Sequence, residues 1–372
     1  MKFTAEKRDL VSKVLHLSNI VPSKNTMPIL MNFLIEAEEE TNRIRFTATD
    51  LEITIVAEVE VSVSESGKAT VEAKRFTEIV NSLPEGMIRF EKVDEQFKIN
   101  TTHAHFDMVC ADPEQYPLIP RIDMSEATAI DAGNFSRMIE NTHFAVSSET
   151  NRPIFTGVYW QLAPEGQLMV ATDGKKIAEF KLNKPCEIAE PTERIVPTKG
   201  LQFLRKVIHE DNPNLRVLLD TNRVMFNYDH YTIFSHVLEG RFPDYRKAMP
   251  ENNKNRLTVS CATLQQAVKN ASLMASDETM KVKLEVDEDK FVVSAANREA
   301  GDAFIEVEEY SFEGEQTRIA FNYRFLSTIL GVIETDRVLI TMGNSQGPAL
   351  LFNVGLEADY EARFLLMPLR IV

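Results

Sequence analysis

Two aspartates, Asp50 and Asp173, stand in matching tetrapeptides, Thr49-Asp50-Leu51-Glu52 and Thr172-Asp173-Gly174-Lys175. Paired carboxylates can pass a proton or hold a divalent cation, which would make the chain a metal-dependent hydrolase. A third passage, Ser294-Ala295-Ala296-Asn297-Arg298-Glu299, has Asn297 at the matching place. An amide does neither job, whereas Asp and Asn alike bond nearby backbone, so a shared turn is the simpler account. His103 and His105 alternate along an expected strand and would share a face, a possible metal pair, yet no third ligand sits nearby in sequence. Gly174-Lys175 approaches a phosphate loop and fails it, with Met169 where glycine is required and Lys176 where Ser or Thr is required. Neither a Gly-x-Ser-x-Gly elbow nor a His-Glu-x-x-His pair occurs. Cys110, Cys186 and Cys261 are odd in number and far apart, as expected of reduced thiols. No enzyme, metal or cofactor is expected.

The elements that would position these residues recur at one third of the chain. The three passages above are spaced by about 123 residues, near the size of one domain. Val71-Glu72-Ala73-Lys74-Arg75-Phe76, Ile195-Val196-Pro197-Thr198-Lys199-Gly200-Leu201 and Ile319-Ala320-Phe321-Asn322-Tyr323-Arg324-Phe325 each read as a strand turning into a helix. Tyr116-Pro117-Leu118-Ile119-Pro120, Phe242-Pro243-Asp244-Tyr245 and Leu366-Met367-Pro368-Leu369 close the thirds alike. Period-two alternation, as in Ile44, Phe46 and Ala48, then Leu51, Ile53 and Ile55, then Val59, Val61 and Val63, predicts half-buried strands. Helical spacing takes over in windows 6–20, 74–82, 134–145, 199–209, 263–274 and 322–333. The expected fold is α+β: three repeated domains, 1–122, 127–248 and 252–372, each an antiparallel sheet with two short helices.

Composition is that of a soluble globular chain, 44% hydrophobic and 26% charged, and each third is long enough to bury its own core. The first residues are charged and lack the apolar stretch of a secretory signal, and no run approaches a membrane span, so the expectation is cytoplasmic with no membrane partner. The net charge is −15, which ordinarily disfavours a polyanion. Its distribution reverses that inference: the six helical windows carry roughly seven excess positive charges and the remainder about −22. Lys74, Arg75, Arg137, Lys199, Arg205 and Lys206 are among the contributors.

Met1-Lys2-Phe3-Thr4, Thr49-Asp50-Leu51-Glu52, Ala171-Thr172-Asp173-Gly174, Gly240-Arg241-Phe242-Pro243-Asp244-Tyr245 and Met367-Pro368-Leu369-Arg370 occur in order across the chain. In these motifs it resembles the bacterial DNA polymerase III beta subunit family, the replication sliding clamps. The resemblance implies a DNA clamp fold and a head-to-tail homodimer closed into a ring, with helices lining a hole around duplex DNA. It implies a processivity factor that encircles DNA without sequence specificity. That factor tethers the replicative polymerase, the clamp loader and repair proteins through short linear peptides.

By the same resemblance, a peptide-binding cleft is expected from Phe155, Thr172, Gly174, Lys175, Lys176, Ile177, Pro243, Lys247, Ala248, Leu365, Met367, Pro368, Leu369 and Arg370, apolar with a rim of cations. Lysines at 175, 176 and 247 lack the planar fork of arginine, which is frequent in the family at the latter two. DNA contact is expected at Lys24 and Arg152 together with the helix cations Lys74, Arg75, Arg137, Lys199, Arg205 and Lys206. The dimer interface is expected to pair Ile79, Leu83 and Phe106 with Leu273 and Met274, with His103 and His105 on the edge strand facing acids such as Glu299 or Asp302. A competing expectation is a peptide-binding scaffold that never encircles DNA.

Overall fold

Among the described residues, alternating apolar residues build four antiparallel sheets, and helical periodicity lays six α-helices against them. The computed structural model describes residues 1–22, 24, 26–119, 123–188, 190–355 and 359–371. Pro120, the expected first boundary at 122 and the terminal Val372 lie outside the described residues. The helices are α1 (Lys7–Ser18), α2 (Ala73–Ser82), α3 (Ala132–Thr142), α4 (Thr198–Val207), α5 (Cys261–Ser272) and α6 (Tyr323–Gly331). All six fall on the windows of 3.6-residue spacing. Side chains help to fix two of the starts: Ser260 Oγ accepts from the Thr263 amide at 3.3 Å, and Asn322 Oδ1 from the Arg324 amide at 2.9 Å.

Contacts gather into two compact units. The first holds Met1–Gly133 with Lys199–Val237, the second Asn134–Thr198 with Leu238–Val372. In the first, an eight-stranded sheet runs Thr128–Asp131, Asn214–Leu219, Arg223–Tyr228, Tyr231–His236, Ile53–Glu60, Arg43–Thr49, Asn32–Glu38, Gly67–Glu72. A five-stranded sheet runs Ser62–Glu65, Lys2–Glu6, Met87–Val93, Gln96–Asn100, His105–Val109. Between them α1 packs against α2, and the aromatic rings of Phe3, Phe33, Phe46, Phe76, Phe90 and Phe97 form one buried cluster with neighbouring centroids 4.7 to 6.4 Å apart. Such a cluster combines large apolar burial with edge and offset ring contacts.

The second unit repeats the plan. A nine-stranded sheet runs Thr192–Pro197, Gly157–Ala163, Gly166–Thr172, Lys176–Leu182, Tyr360–Leu366, Ala349–Asn353, Arg337–Met342, Asn255–Ser260, Tyr310–Glu313. A four-stranded sheet runs Gly301–Glu306, Phe291–Asn297, Lys281–Val286, Thr317–Asn322, and α5 packs on α6. Phe135 of α3 meets Trp160 at 4.9 Å, and Phe180 stacks on Tyr360 at 4.7 Å.

Each large sheet is continuous across sequence repeats: Tyr231–His236 pairs with Ile53–Glu60, and Lys176–Leu182 with Tyr360–Leu366. The middle third is therefore divided, with α4 and its following strands in the first unit and α3 and its strands in the second. Backbone groups at a strand edge need partners, and here the neighbouring repeat supplies them.

Two local expectations are corrected. Leu51 does not open the alternation of Ile53 and Ile55; it stands in a turn at φ +77°, half exposed. His103 lies in the bend before the strand His105–Val109, so the two imidazoles do not alternate along one strand.

Candidate peptide-binding and nucleic-acid surfaces

The repeated Asp is a turn device. Asp173 Oδ1 accepts from the amides of Lys175 at 2.8 Å and Lys176 at 3.0 Å, while Thr172 Oγ1 donates to the Lys176 carbonyl at 2.7 Å and accepts from the Gly174 amide at 3.0 Å. Asp50 Oδ1 likewise accepts from Glu52 at 3.1 Å and Ile53 at 2.9 Å, and Thr49 repeats the role of Thr172. Asn297 Oδ1 accepts from the Glu299 amide at 3.0 Å. The second oxygens of Asp173 and Asp50 are taken by Lys176 Nζ and Lys199 Nζ. Each carboxylate is thus occupied, Asp173 within its own turn and Asp50 by its turn and the remote Lys199. No cluster of three or more His, Cys, Asp or Glu that could hold a metal occurs among the described residues.

Around the Asp173 turn the second unit gathers most of the expected cleft. The backbone continues the sheet past its last strand pair, since the Met367 amide donates to the Lys175 carbonyl at 2.9 Å. Ile177 and Leu365 pair across strands and share a buried apolar cluster with Leu168, Val170, Tyr245 and Leu350. The short turn Tyr245–Ala248 carries exposed Lys247 and Ala248, with Pro243 exposed just ahead of it. Met367 is exposed, Pro368 and Leu369 are half-buried, and Arg370 is exposed. The Leu369 amide donates to the Ala320 carbonyl at 2.7 Å, which holds the terminal segment against the fold. Phe155 is half-buried at the end of the turn Pro153–Phe155.

Lys176 departs from the expected rim. Its ammonium is buried between Asp173 and the Phe325 ring, 4.2 Å from the centroid, so it is a structural cation. The other cations expected at the rim, Lys175, Lys247 and Arg370, are all exposed, with Lys247 paired to Asp244 at 3.3 Å.

Composition and motif spacing did not indicate what supports this wall. Tyr245, the last residue of a closing motif, donates its phenol to Glu179 at 2.5 Å, and Arg363 lies 3.5 Å from the same carboxylate. Burial, followed by the bond to Glu179, pushes the Tyr245 phenol above its ordinary range. Beyond Tyr245 a groove of about 720 Å³ continues along the sheet, floored by Leu168, Leu350, Phe352 and Met249. The period-two apolar pattern of these strands was the available signal.

On the first unit, α1 and α4 bring cations together. Lys199 and Lys206 border a hollow of about 160 Å³ with His16, Asn19 and Gln202. His16 bonds Tyr231 through Nδ1 at 2.8 Å, and burial, then Lys206 and Lys13, hold its imidazole below the ordinary value. Arg205 and Lys206 are exposed at the end of α4, where cations also oppose the helix dipole. Lys24, Lys74 and Arg75 are exposed too, Arg75 beside Glu72 at 3.4 Å. In the second unit Arg152 is exposed, whereas Arg137 is drawn to Glu334 at 3.5 Å and lies over the Tyr360 ring at 5.3 Å. Arg137 is therefore partly committed to its own fold.

The residues expected at a dimer interface divide in the same way. Ile79 and Phe106 are half-exposed in the first unit, and Leu273 is exposed with Met274 half-buried in the second. Leu83 is buried in its own core, because the chain turns inward after α2, and it presents no surface. His103 is exposed; His105 meets Asp107 at 3.1 Å and bonds Asn100 within its own sheet. His105–Val109 and Gly301–Glu306 are the edges of their sheets.

Cys110, Cys186 and Cys261 are free thiols, and burial raises each above its ordinary value. No helix among the described residues is long and apolar enough to cross a membrane.

Comparison with known proteins covers nearly the whole chain. Residues 1–120, 129–244 and 246–370 match the models of the N-terminal, central and C-terminal domains of the DNA polymerase III beta subunit. The beta sliding clamp of Caulobacter vibrioides is 29% identical over 378 residues, covering 100% of both chains. That of Staphylococcus aureus is 28% identical over 381 residues, covering 100% of this chain and 99% of the relative. The solved DNA polymerase sliding clamp of Bacillus subtilis superposes with a TM-score of 0.92 at 27% identity over the full length of both.

Proposed function

Because the chain belongs to the DNA polymerase III beta subunit family, with a three-domain, β-rich fold, we propose that it is a sliding clamp. It encircles duplex DNA without sequence specificity and tethers the replicative polymerase, a clamp loader and repair proteins. Two copies join head to tail, edge strand to edge strand, with Ile79 and Phe106 of one meeting Leu273 and Met274 of the other. The repeats run over 1–122, 127–248 and 252–372, and the protein works in the cytoplasm with no catalytic site of its own.

The observation that carries this reading is the segregation of charge: a −15 chain that presents exposed Arg205, Lys206 and Lys74 on helices. Cations on helices meet phosphates without reading bases, so the contact is compatible with sliding, while an acidic remainder discourages binding elsewhere. Affinity need not be high, because a closed ring is held by topology. Peptides of partner proteins dock through an apolar side chain against Ile177, Leu365 and Met367, with Lys175, Lys247 and Arg370 as the polar rim.

Retention on nicked circular plasmid, compared with the same plasmid cut once, tests the reading. Protein kept on the circle and lost from the free ends supports a ring. A monomer that binds peptides and is retained on neither would make the chain a peptide-binding scaffold.

A further inference from the structure

The cleft around Asp173 has a counterpart inside the first unit, built by the same bonds. There the His236 amide donates to the Glu52 carbonyl at 3.1 Å, as Met367 does to Lys175. Ile53 and Thr54 pair with Ser235 and Phe234, as Lys176 and Ile177 pair with Leu366 and Leu365. Asp50 and Lys199 take the places of Asp173 and Lys176. Pro117 stands where Pro243 does. These parts enclose a hollow of about 200 Å³, the size of one large apolar side chain, with Phe234 in its wall.

Two side chains at its mouth lack a folding reason. Leu118 is 99% exposed. Leu51 is 50% exposed and sits at φ +77°, where its counterpart is Gly174 at φ +86°. A branched side chain in left-handed backbone is strained, and here it buries little in return. Glu52 and Arg223 border the hollow, and neither makes an ion pair among the described residues. The rim therefore offers one anion and one cation, neither ion-paired among the described residues, whereas at the Asp173 cleft Lys247 is already paired to Asp244 and the unpaired charges are Lys175 and Arg370.

We infer that this groove is a second docking site for an extended peptide of a partner protein. The peptide places one Leu or Phe in the hollow between Leu51 and Leu118, a basic side chain at Glu52 and an acidic one at Arg223. The inference rests on the clamp reading only in taking the Asp173 cleft as a peptide site.

The test is isothermal titration of the full-length protein with the pentapeptide Lys-Ser-Leu-Phe-Asp and its charge-swapped partner Asp-Ser-Leu-Phe-Lys. Two peptides per chain are expected. The double variant Leu51→Gly, Leu118→Ser should lose one site or weaken it about tenfold. Both positions face solvent and glycine suits the turn, so folding is retained. Glu52→Lys should abolish the preference between the two peptides at that site, because both rim groups are then cations. Met367→Glu should remove the other site and leave this one. Binding unchanged in the Leu51/Leu118 variant overturns the proposal. Loss there with no effect of Met367→Glu upholds this groove and defeats the Asp173 cleft instead.

Discussion

Tyr245 donates its phenol to Glu179 across 2.5 Å and so ties the turn that carries Lys247 and Ala248 to the floor of the sheet. Glu179 has little access to water and leans otherwise on Arg363 at 3.5 Å. Tyr245→Phe leaves a sheltered carboxylate short of one donor, at a cost of about 1–3 kcal/mol. Urea unfolding should show that loss, and affinity for apolar peptides at the Asp173 cleft should fall with it. Unchanged stability would mean that water replaces the phenol without penalty.

The phenols of Tyr116, Tyr159, Tyr231, Tyr245 and Tyr360 are all raised, first by burial, and Tyr360 is pushed up to about 12. An unfolded tyrosine titrates near ~10. Above that pH the unfolded chain releases protons that the native chain keeps, so stability is full below it and declines as pH rises toward 12. The urea midpoint should drop steadily from pH 10 upward. Tyr116→Phe should flatten the drop, since the buried Tyr116 phenol donates to the Thr47 carbonyl at 3.1 Å.

Lys176 and Lys199 close the same turn in two places, yet their side chains are 7% and 43% exposed. Removing Lys176 leaves Asp173 without its cation where water has little access, and also strips the face of Phe325. Lys176→Ala should cost about 3–5 kcal/mol. Lys199→Ala should cost less, about 1–3 kcal/mol, because its ammonium is half-exposed and packs on no ring among the described residues, although Asp50 is as sheltered as Asp173. Equal losses in chemical denaturation would contradict this ordering.

The same pairing predicts unequal roles on DNA. Lys206 makes no ion pair among the described residues, whereas Lys199 must leave Asp50 to meet a phosphate. Lys206→Gln should lower the slope of log retention against log salt by about 0.9, and Lys199→Gln by less. Retention on nicked plasmid across a sodium chloride series measures both, and peptide binding at the Asp173 cleft should not change.

Much of this architecture was legible because its signals are short-ranged. Helices announce themselves through spacing within two or three turns, as Leu10, Val14 and Leu17 do on α1. The Asp50, Asp173 and Asn297 turns were recognisable because a side chain bonds the amide two residues on, and in the two aspartate turns the next one as well. Where local pattern and tertiary demand diverged, pattern misled. Alternation with Ile53 and Ile55 took in Leu51 although the backbone there turns left-handed. Lys176 read as a solvent cation because Phe325, far along the chain, gives no local sign of packing against it.

The chain by itself determined the repeats, the helices, the turns and the sorting of charge, since these depend on neighbours a few residues away. Only the tertiary structure decided which strands continue a sheet across repeats, which lysine is structural and which leucines are left in water. Those outcomes follow from pairing between Tyr231–His236 and Ile53–Glu60 and between Lys176–Leu182 and Tyr360–Leu366, segments remote in sequence. A contact between remote segments is selected by the free energy of the whole packed unit, and no window of adjacent residues contains that quantity.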